Sequence, residues 1–376
     1  MPKKKYILPK GVRIVSSKTK GQTAFFVEKE ESSKSYQINK QIASLLQKFG
    51  VEKTIKEGLL EEYPDADLSI PEVREPLIEL FKGFLKIGAL EEAKSKKKDS
   101  PQRFQNGGRF YGYQVEELLS SNSKIEVYRV IDTKVGCKYV MKALKKDALS
   151  TKRLKKHRTL LRNEFDIISS INHPYVYKII KYYPRSDLGI MEYIEGFSLH
   201  DFIVKSKRTN STKLRLIDQI IDCFSYLHKE QIQHGDIHLR NFMVNTHKQL
   251  RVIDFGYANS DSHSNNIHGG IPQYMPPERV KEHNFSFSKQ KGDNCSEVFQ
   301  LAILIYFIIY EKYPFQGFLW KDVAHQILNK EITSVNFDSP PFLSGRQEEV
   351  ILKCFEKKPS DRYPNACSLK LDWQNA

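Results

Sequence analysis

Apolar and polar positions fall into different rhythms along this chain. Near the start, Thr23–Val27 and Ser35–Ile38 are short β-branched and aromatic runs around the polar turn KEESSK, which predicts two strands. Asn39 then precedes Ile42, Leu45, Leu46 and Phe49, an i, i+3, i+4, i+7 stripe that predicts a helix capped by Asn39 and ended by Gly50. A second helix is expected from about Lys53 to Tyr63, before Pro64. A third is expected from near Ser69, where Ser69 and Glu72 have capping-box spacing, with Val73, Leu77, Leu80, Phe81, Phe84 and Leu85 on its apolar face. Pro76 lies inside that pattern and is expected to kink the first turns, because proline removes a helix hydrogen bond.

The rhythm stops at Glu92–Gly108 (EAKSKKKDSPQRFQNGG), a charged and then Pro- and Gly-containing stretch that predicts a linker. It divides a small part, residues 1–91, from a larger one, 109–376, and no internal repeat is present. Beyond it, Tyr139–Lys142, Leu188–Tyr193 and Arg251–Ile253 predict strands, and a helical stretch carrying Glu164 ends at Asn172-His173-Pro174. The longest apolar run, Leu301–Tyr310, is about half the length a bilayer span requires and predicts a buried helix.

Composition narrows the setting. Hydrophobic residues at 40% and charged residues at 28% suit a globular protein. The basic N-terminus MPKKKYILPKG lacks the apolar stretch of a secretory signal. The five cysteines (137, 223, 295, 354 and 367) form no CxxC pair, so a reduced, cytoplasmic compartment without a metal–thiolate site is expected. The net charge of +15 calls for an anionic partner. Between Lys142 and Phe165, basic residues far outnumber acidic ones, but no aromatic interleaving accompanies them. This run is therefore taken as a solvated helix face, and nucleic acid and membrane are set aside as partners.

The chemistry-bearing residues follow one order. Lys142 ends a strand, Glu164 sits on the next helix, and HGDIHLRN (234–241) holds Asp236 and Asn241. Asp254 opens DFG (254–256), PPE stands at 276–278, and Arg362 lies in KKPSDRYP. Phosphoryl transfer from a nucleotide needs this set: a cation on the phosphates, oxygen ligands for a hard metal ion, and a carboxylate orienting the attacking hydroxyl. Residues 110–376 thus resemble the protein kinase superfamily, which implies a bilobal fold using ATP and Mg²⁺. The resemblance makes Asp236 the catalytic base, Lys142 the phosphate-binding lysine and Glu164 its partner. Asn241 and Asp254 become the metal ligands. Ser120, Asn122 and Val127 fall in the phosphate loop, Glu192 and Tyr193 at the adenine-facing hinge, and Arg362 opposite Glu278.

Four positions depart from that pattern. The phosphate loop, SSNSKIEV (120–127), lacks all three glycines. Gly235 replaces the arginine of activation-dependent kinases, and Glu297 replaces an aspartate. His238 stands where Ser/Thr kinases carry lysine, with Ile271 for their threonine and Arg240 placed as in tyrosine kinases, so the acceptor type stays open. A pseudokinase scaffold is the alternative that the missing glycines favour, while the complete set of five polar groups favours activity. HGDIH also suggests a small-molecule phosphotransferase, against which the full activation segment argues for a peptide acceptor.

Over residues 10–91, YQINKQIASLLQKFG, TIKEGLLEEY and VREPLIELFKGFLKIGALEE resemble the PqqD-like family, the leader-peptide-binding recognition elements of ribosomal natural-product pathways. The overall expectation is an α+β chain, a small winged-helix-like domain followed by the kinase fold. The resemblance implies a leader peptide, acidic in character, added as a strand beside Ser35, Tyr36, Gln37 and Ile38. It would rest against Arg74, Leu77, Ile78, Phe81 and Lys82. The kinase would then phosphorylate a Ser/Thr-type hydroxyl of the precursor peptide, as a final modification or as a step in lanthipeptide-type dehydration with a partner lyase or cyclase. A general kinase with a DNA- or protein-binding winged helix is the other reading.

Overall fold

The computed structural model describes the chain outside residues 1–4, 10–11, 20–21, 30–31, 39, 51–52, 63–79, 93–102, 123, 146–150, 206, 261–270, 282–285, 288–291, 317–319 and 334–341. The chain divides into two compact units, the first made chiefly of residues 1–99 and the second of residues 100–316 and 323–376.

In the first unit, β2 (Val12–Thr19), β3 (Gln22–Lys29) and β4 (Ser32–Ile38) form an antiparallel meander in that order, so β4 lies at an edge. A second small sheet has β1 (Lys5–Ile7) between β5 (Lys53–Thr54) and β6 (Glu91–Glu92). The helices are α1 (Lys40–Gln47), α2 (Ile55–Glu62) and α3 (80–87). Leu45 and Leu46 of α1 and Phe49 in the turn that follows it are buried, together with Val27, Ile38, Leu59, Phe81 and Phe84. Phe81 meets Phe49 and Phe84 edge to face, with centroids 5.4 and 5.3 Å away.

Strand β2 is absent from the sequence expectation, although Val12, Ile14 and Val15 belong to it; its second half, SSKT, is too polar to stand out. The proposed capping box and Pro76 of the third helix lie outside the described residues. Residues 103–108, assigned above to the linker, are fastened to the second unit instead. The Phe104 ring packs on Phe110 and Tyr128, and the Arg103 guanidinium donates to the carbonyls of Leu144 and Ser186. A composition-based boundary could not see this, because two anchoring side chains sit within an otherwise polar run.

The second unit opens with β7 (Arg109–Phe110), β8 (Tyr113–Ser121), β9 (Ile125–Asp132) and β10 (Lys138–Leu144). After α4 (Thr151–Ser170) come β11 (Ile179–Tyr183) and β12 (Leu188–Glu192). The sheet order is β11-β12-β10-β9-β8-β7. Strand β10 alternates as the pattern predicts: Met141 and Ala143 enter an apolar core with Tyr128 and Val130, which leaves Lys142 on the other face.

A predominantly helical lobe follows: β13 (Gly196–Ser198), α5 (Leu199–Val204), α6 (Asn210–Lys229), β14 (Phe242–Asn245), β15 (Leu250–Val252) and α7 (Asn294–Tyr310). Gly345–Cys354 and Ala366–Gln374 are also helices. Helix α7 contains the apolar run singled out above and is buried nearly all round. Asp293 caps it, its carboxylate accepting from the Ser296 amide at 2.8 Å. Among the described residues, no helix is long and apolar enough to cross a membrane.

Candidate active site

Lys142 reaches inward from β10, and α4 brings Glu164 to meet it. The ammonium lies 2.7 and 2.9 Å from the two Glu164 oxygens and 2.8 Å from Asp254 Oδ1. Gly189, the cross-strand neighbour of Lys142, permits the approach of α4. A Cβ there would overlap the Phe165 ring, which α4 packs against this strand next to Glu164, so a larger residue would force that ring to move. Burial opposes the Lys142 charge, but Asp254 and Glu164 outweigh it and hold the lysine above its ordinary range. In turn, despite burial, the Lys142 charge holds Asp254 below the usual carboxylate range.

The catalytic loop is fixed by backbone contacts. Gly235 has φ of +76° and donates its N–H to Glu297 Oε1 at 2.7 Å. The other Glu297 oxygen meets His228 Nε2 at 2.9 Å, and His228 Nδ1 accepts the Ala366 amide at 3.0 Å. Nδ1 therefore carries the lone pair, and Nε2–H donates to the carboxylate. Glutamate's extra methylene thus spans from loop to helix. His228 was not anticipated, since one histidine at the end of an amphipathic helix carries no signal.

His234 braces the loop with both ring nitrogens: Nδ1 accepts the Asp236 amide at 3.3 Å and Nε2 donates to the Ile253 carbonyl at 3.1 Å. His238 Nε2 stands 3.5 Å from Asp236 Oδ2, while its Nδ1 accepts from the Arg240 amide. Asn241 Nδ2 donates to the Asp236 carbonyl at 2.8 Å, which fixes the amide and keeps its oxygen as a potential ligand. Asp254 adopts the left-handed region, φ +62°, and its Oδ1 accepts from the Lys142 ammonium. Below the site, buried Arg362 grips the partly exposed Glu278 at 2.8 and 3.1 Å, the two residues that the resemblance sets opposite each other.

The glycine-free phosphate loop is a tight hairpin. Asn122 Oδ1 accepts the amides of Lys124 and Ile125, each at 2.8 Å, and its own amide donates to Ile125 O at 2.9 Å. This Asx arrangement closes the turn with a side chain where glycine would have supplied backbone freedom. Ser120 pairs across with Val127, and Val127 with Lys142, so these residues share one end of the sheet. At the hinge, Glu192 turns its carboxylate to Arg251, 3.2 Å away, and the Tyr193 ring lies under Arg129.

The positions expected to receive a leader are only partly brought together. Ser35, Tyr36 and Gln37 lie on edge strand β4, with Tyr36 half-buried, and Lys82 is exposed on α3. Ile38 and Phe81 are core residues, 5% and 2% exposed, with almost no surface for a peptide, because each points into the cluster that joins sheet and helices. Arg74, Leu77 and Ile78 lie outside the described residues.

The oxygen donors fit magnesium. Asn241 and Asp254 offer an amide and a carboxylate, and among the described residues no cluster of three or more His, Cys, Asp or Glu could hold a metal alone. Magnesium keeps waters and phosphate oxygens in its shell, so two protein ligands suit it.

Residues 113–373 match the protein kinase domain family, and the chain belongs to it. A two-lobed phosphotransferase domain using ATP and Mg²⁺ is therefore present. Human NUAK family SNF1-like kinase 1 is 27% identical over 58% of the chain and 32% of its own length. The serine/threonine-protein kinase PrkC of Bacillus subtilis is 25% identical over 70% of the chain and 40% of that protein. A probable serine/threonine-protein kinase of Streptomyces coelicolor is 26% identical over 73% and 40%. The chain thus spans between about a third and two fifths of the length of these relatives.

Proposed function

We propose that this protein is an active kinase that transfers the γ-phosphoryl of ATP to a Ser or Thr hydroxyl. The observation that carries the reading is the joined set Lys142–Glu164–Asp254 beside Asp236 and Asn241. A scaffold that only binds has no need for a buried lysine held charged by two carboxylates. Asp236 orients the acceptor hydroxyl and takes its proton, and Lys142 holds the phosphates. Asn241 and Asp254 would hold magnesium, which when bound neutralises phosphate charge. Relatives named serine/threonine kinases support that acceptor type. Asp236→Asn should retain ATP binding and cut turnover by about 10²–10⁴, the usual loss when positioning and proton acceptance go. Equal turnover by the variant sinks this reading.

The substrate we propose is a ribosomally made precursor peptide whose leader adds beside β4. Support comes from the resemblance of residues 10–91, from the edge position of β4, and from Lys82 and the +15 charge as attractions for acidic leader residues. The phosphate is then retained or eliminated by a partner lyase or cyclase, in a cytoplasmic setting. Removing residues 1–91 should raise KM for the full precursor sharply and leave a leaderless core peptide almost unaffected, because tethering at about millimolar effective concentration is lost. Identical kinetics on both peptides, with and without residues 1–91, rule out leader reading and point to a duplex-DNA gel shift instead.

A further inference from the structure

The turn between β11 and β12 takes contacts from α4, from the end of β10 and from Arg103. Asp187, φ +50° and 1% exposed, receives a two-point pair from Arg158 of α4, with both N···O distances 2.8 Å. Arg158 lies six residues before Glu164, on the same helix. The Asp187 carbonyl accepts the Leu144 amide at 3.0 Å, at the end of the strand that carries Lys142. One residue on, the Lys145 amide donates to Lys124 O at 2.8 Å, at the tip of the phosphate-loop hairpin.

Arg103 closes the arrangement from outside. Its guanidinium donates to Ser186 O at 2.5 Å and Leu144 O at 2.8 Å, and its amide donates to Glu126 Oε2 at 3.1 Å. Glu126 is fully buried on β9, within the returning arm of the phosphate loop, with Lys145 Nζ 3.4 Å from its other oxygen. One arginine therefore staples β9, β10 and the β11–β12 turn, while a second staples that turn to α4.

We propose that Arg158 and Arg103 are positioning residues of phosphoryl transfer: by clamping the Asp187 turn they hold α4 at the height where Glu164 engages Lys142. Neither touches a reacting atom. A guanidinium suits both places, since its planar fork makes two directed bonds at once, which an ammonium does not. Half-exposed salt bridges add little to stability as a rule. Here the acceptor is buried and its geometry fixes a helix rather than a side chain, so the consequence falls on the site more than on folding.

The proposal rests on the kinase reading, and the experiment separates the two. In the full chain, Arg158→Ala, Arg158→Lys and Arg103→Ala are compared with the wild type for Mg·ADP affinity by calorimetry and for peptide phosphorylation. Arg158→Ala should lower kcat/KM about tenfold, with Arg158→Lys between it and the wild type. In a Glu164→Ala background, Arg158→Ala should cost nothing further, because the interaction it serves is already gone. A merely structural role predicts the reverse: lower melting temperatures, with activity losses that add in both backgrounds, and that result overturns the proposal. If Arg158→Ala does not fold, Arg158→Lys decides alone: wild-type nucleotide affinity and kcat/KM refute the clamp. A wild-type protein that binds no Mg·ADP refutes the kinase reading and the clamp with it.

Discussion

Gly235→Ala is the substitution whose consequence the geometry sets most directly. Gly235 stands at φ +76°, and a Cβ there would lie 2.3 Å from the Tyr257 carbonyl oxygen, a contact with backbone that no rotamer relieves. The left-handed conformation alone costs a non-glycine residue about 1–2 kcal/mol. Escaping the contact requires the loop to move, which stretches the 2.7 Å bond from the Gly235 amide to Glu297. A hydrogen bond to a charged group is worth about 1.5–3 kcal/mol, and partial loss brings the total to roughly 2–4 kcal/mol. Asp236 is the next residue, so turnover should fall along with thermal stability while ATP affinity, set by Lys142 on the other lobe, changes little. Differential scanning fluorimetry with steady-state kinetics in ATP checks this. Gly235→Arg, which restores the residue of activation-dependent kinases, should behave no better, because its Cβ meets the same oxygen. An alanine variant with wild-type melting and turnover would refute the reasoning.

Two further outcomes are expected. Replacing Tyr257, Ser260, Ser262 and Ser264 by unphosphorylatable residues should leave the rate within a few-fold, since Gly235 offers no guanidinium to receive a phosphate; a collapse restored by phosphomimetics contradicts it. Acid should destabilise the protein before its carboxylates titrate: burial lowers His234, His200 and His173 below the ordinary value. The unfolded chain then binds more protons, so stability is complete above about pH 6.5 and declines as pH falls toward the folded-state values. Melting temperatures that stay flat from pH 7.5 to 5 would exclude this.

Much of the site was legible because catalysis fixes residue types as well as order. The kinase motifs name Lys142, Glu164, Asp236, Asn241 and Asp254 from residue 142 to residue 254, and the fold brings Lys142 to Glu164 and Asp254, and Asn241 to the Asp236 carbonyl. The supporting contacts were not legible. Arg158 lay in a basic run whose ordinary meaning is a solvated face, and Asp187 sits in a turn where aspartate is commonplace. Arg103 and Phe104 were hidden in a stretch whose composition is that of a linker. In the first unit, periodicity placed α1 and the apolar face that carries Phe81, whereas the family resemblance offered Ile38 and Phe81 to a peptide although both are core residues. An apolar stripe shows which residues share a face and leaves open whether that face is covered.

The hairpin closed by Asn122 has a pharmacological consequence. In a glycine-rich roof, the loop can fold down over a bound compound and wrap it, and part of such a compound's affinity comes from that collapse. Here the side-chain bonds to Lys124 and Ile125 would have to break first. Compounds that depend on a collapsed roof should discriminate against this kinase, and flat adenine-site ligands that leave the roof in place should not.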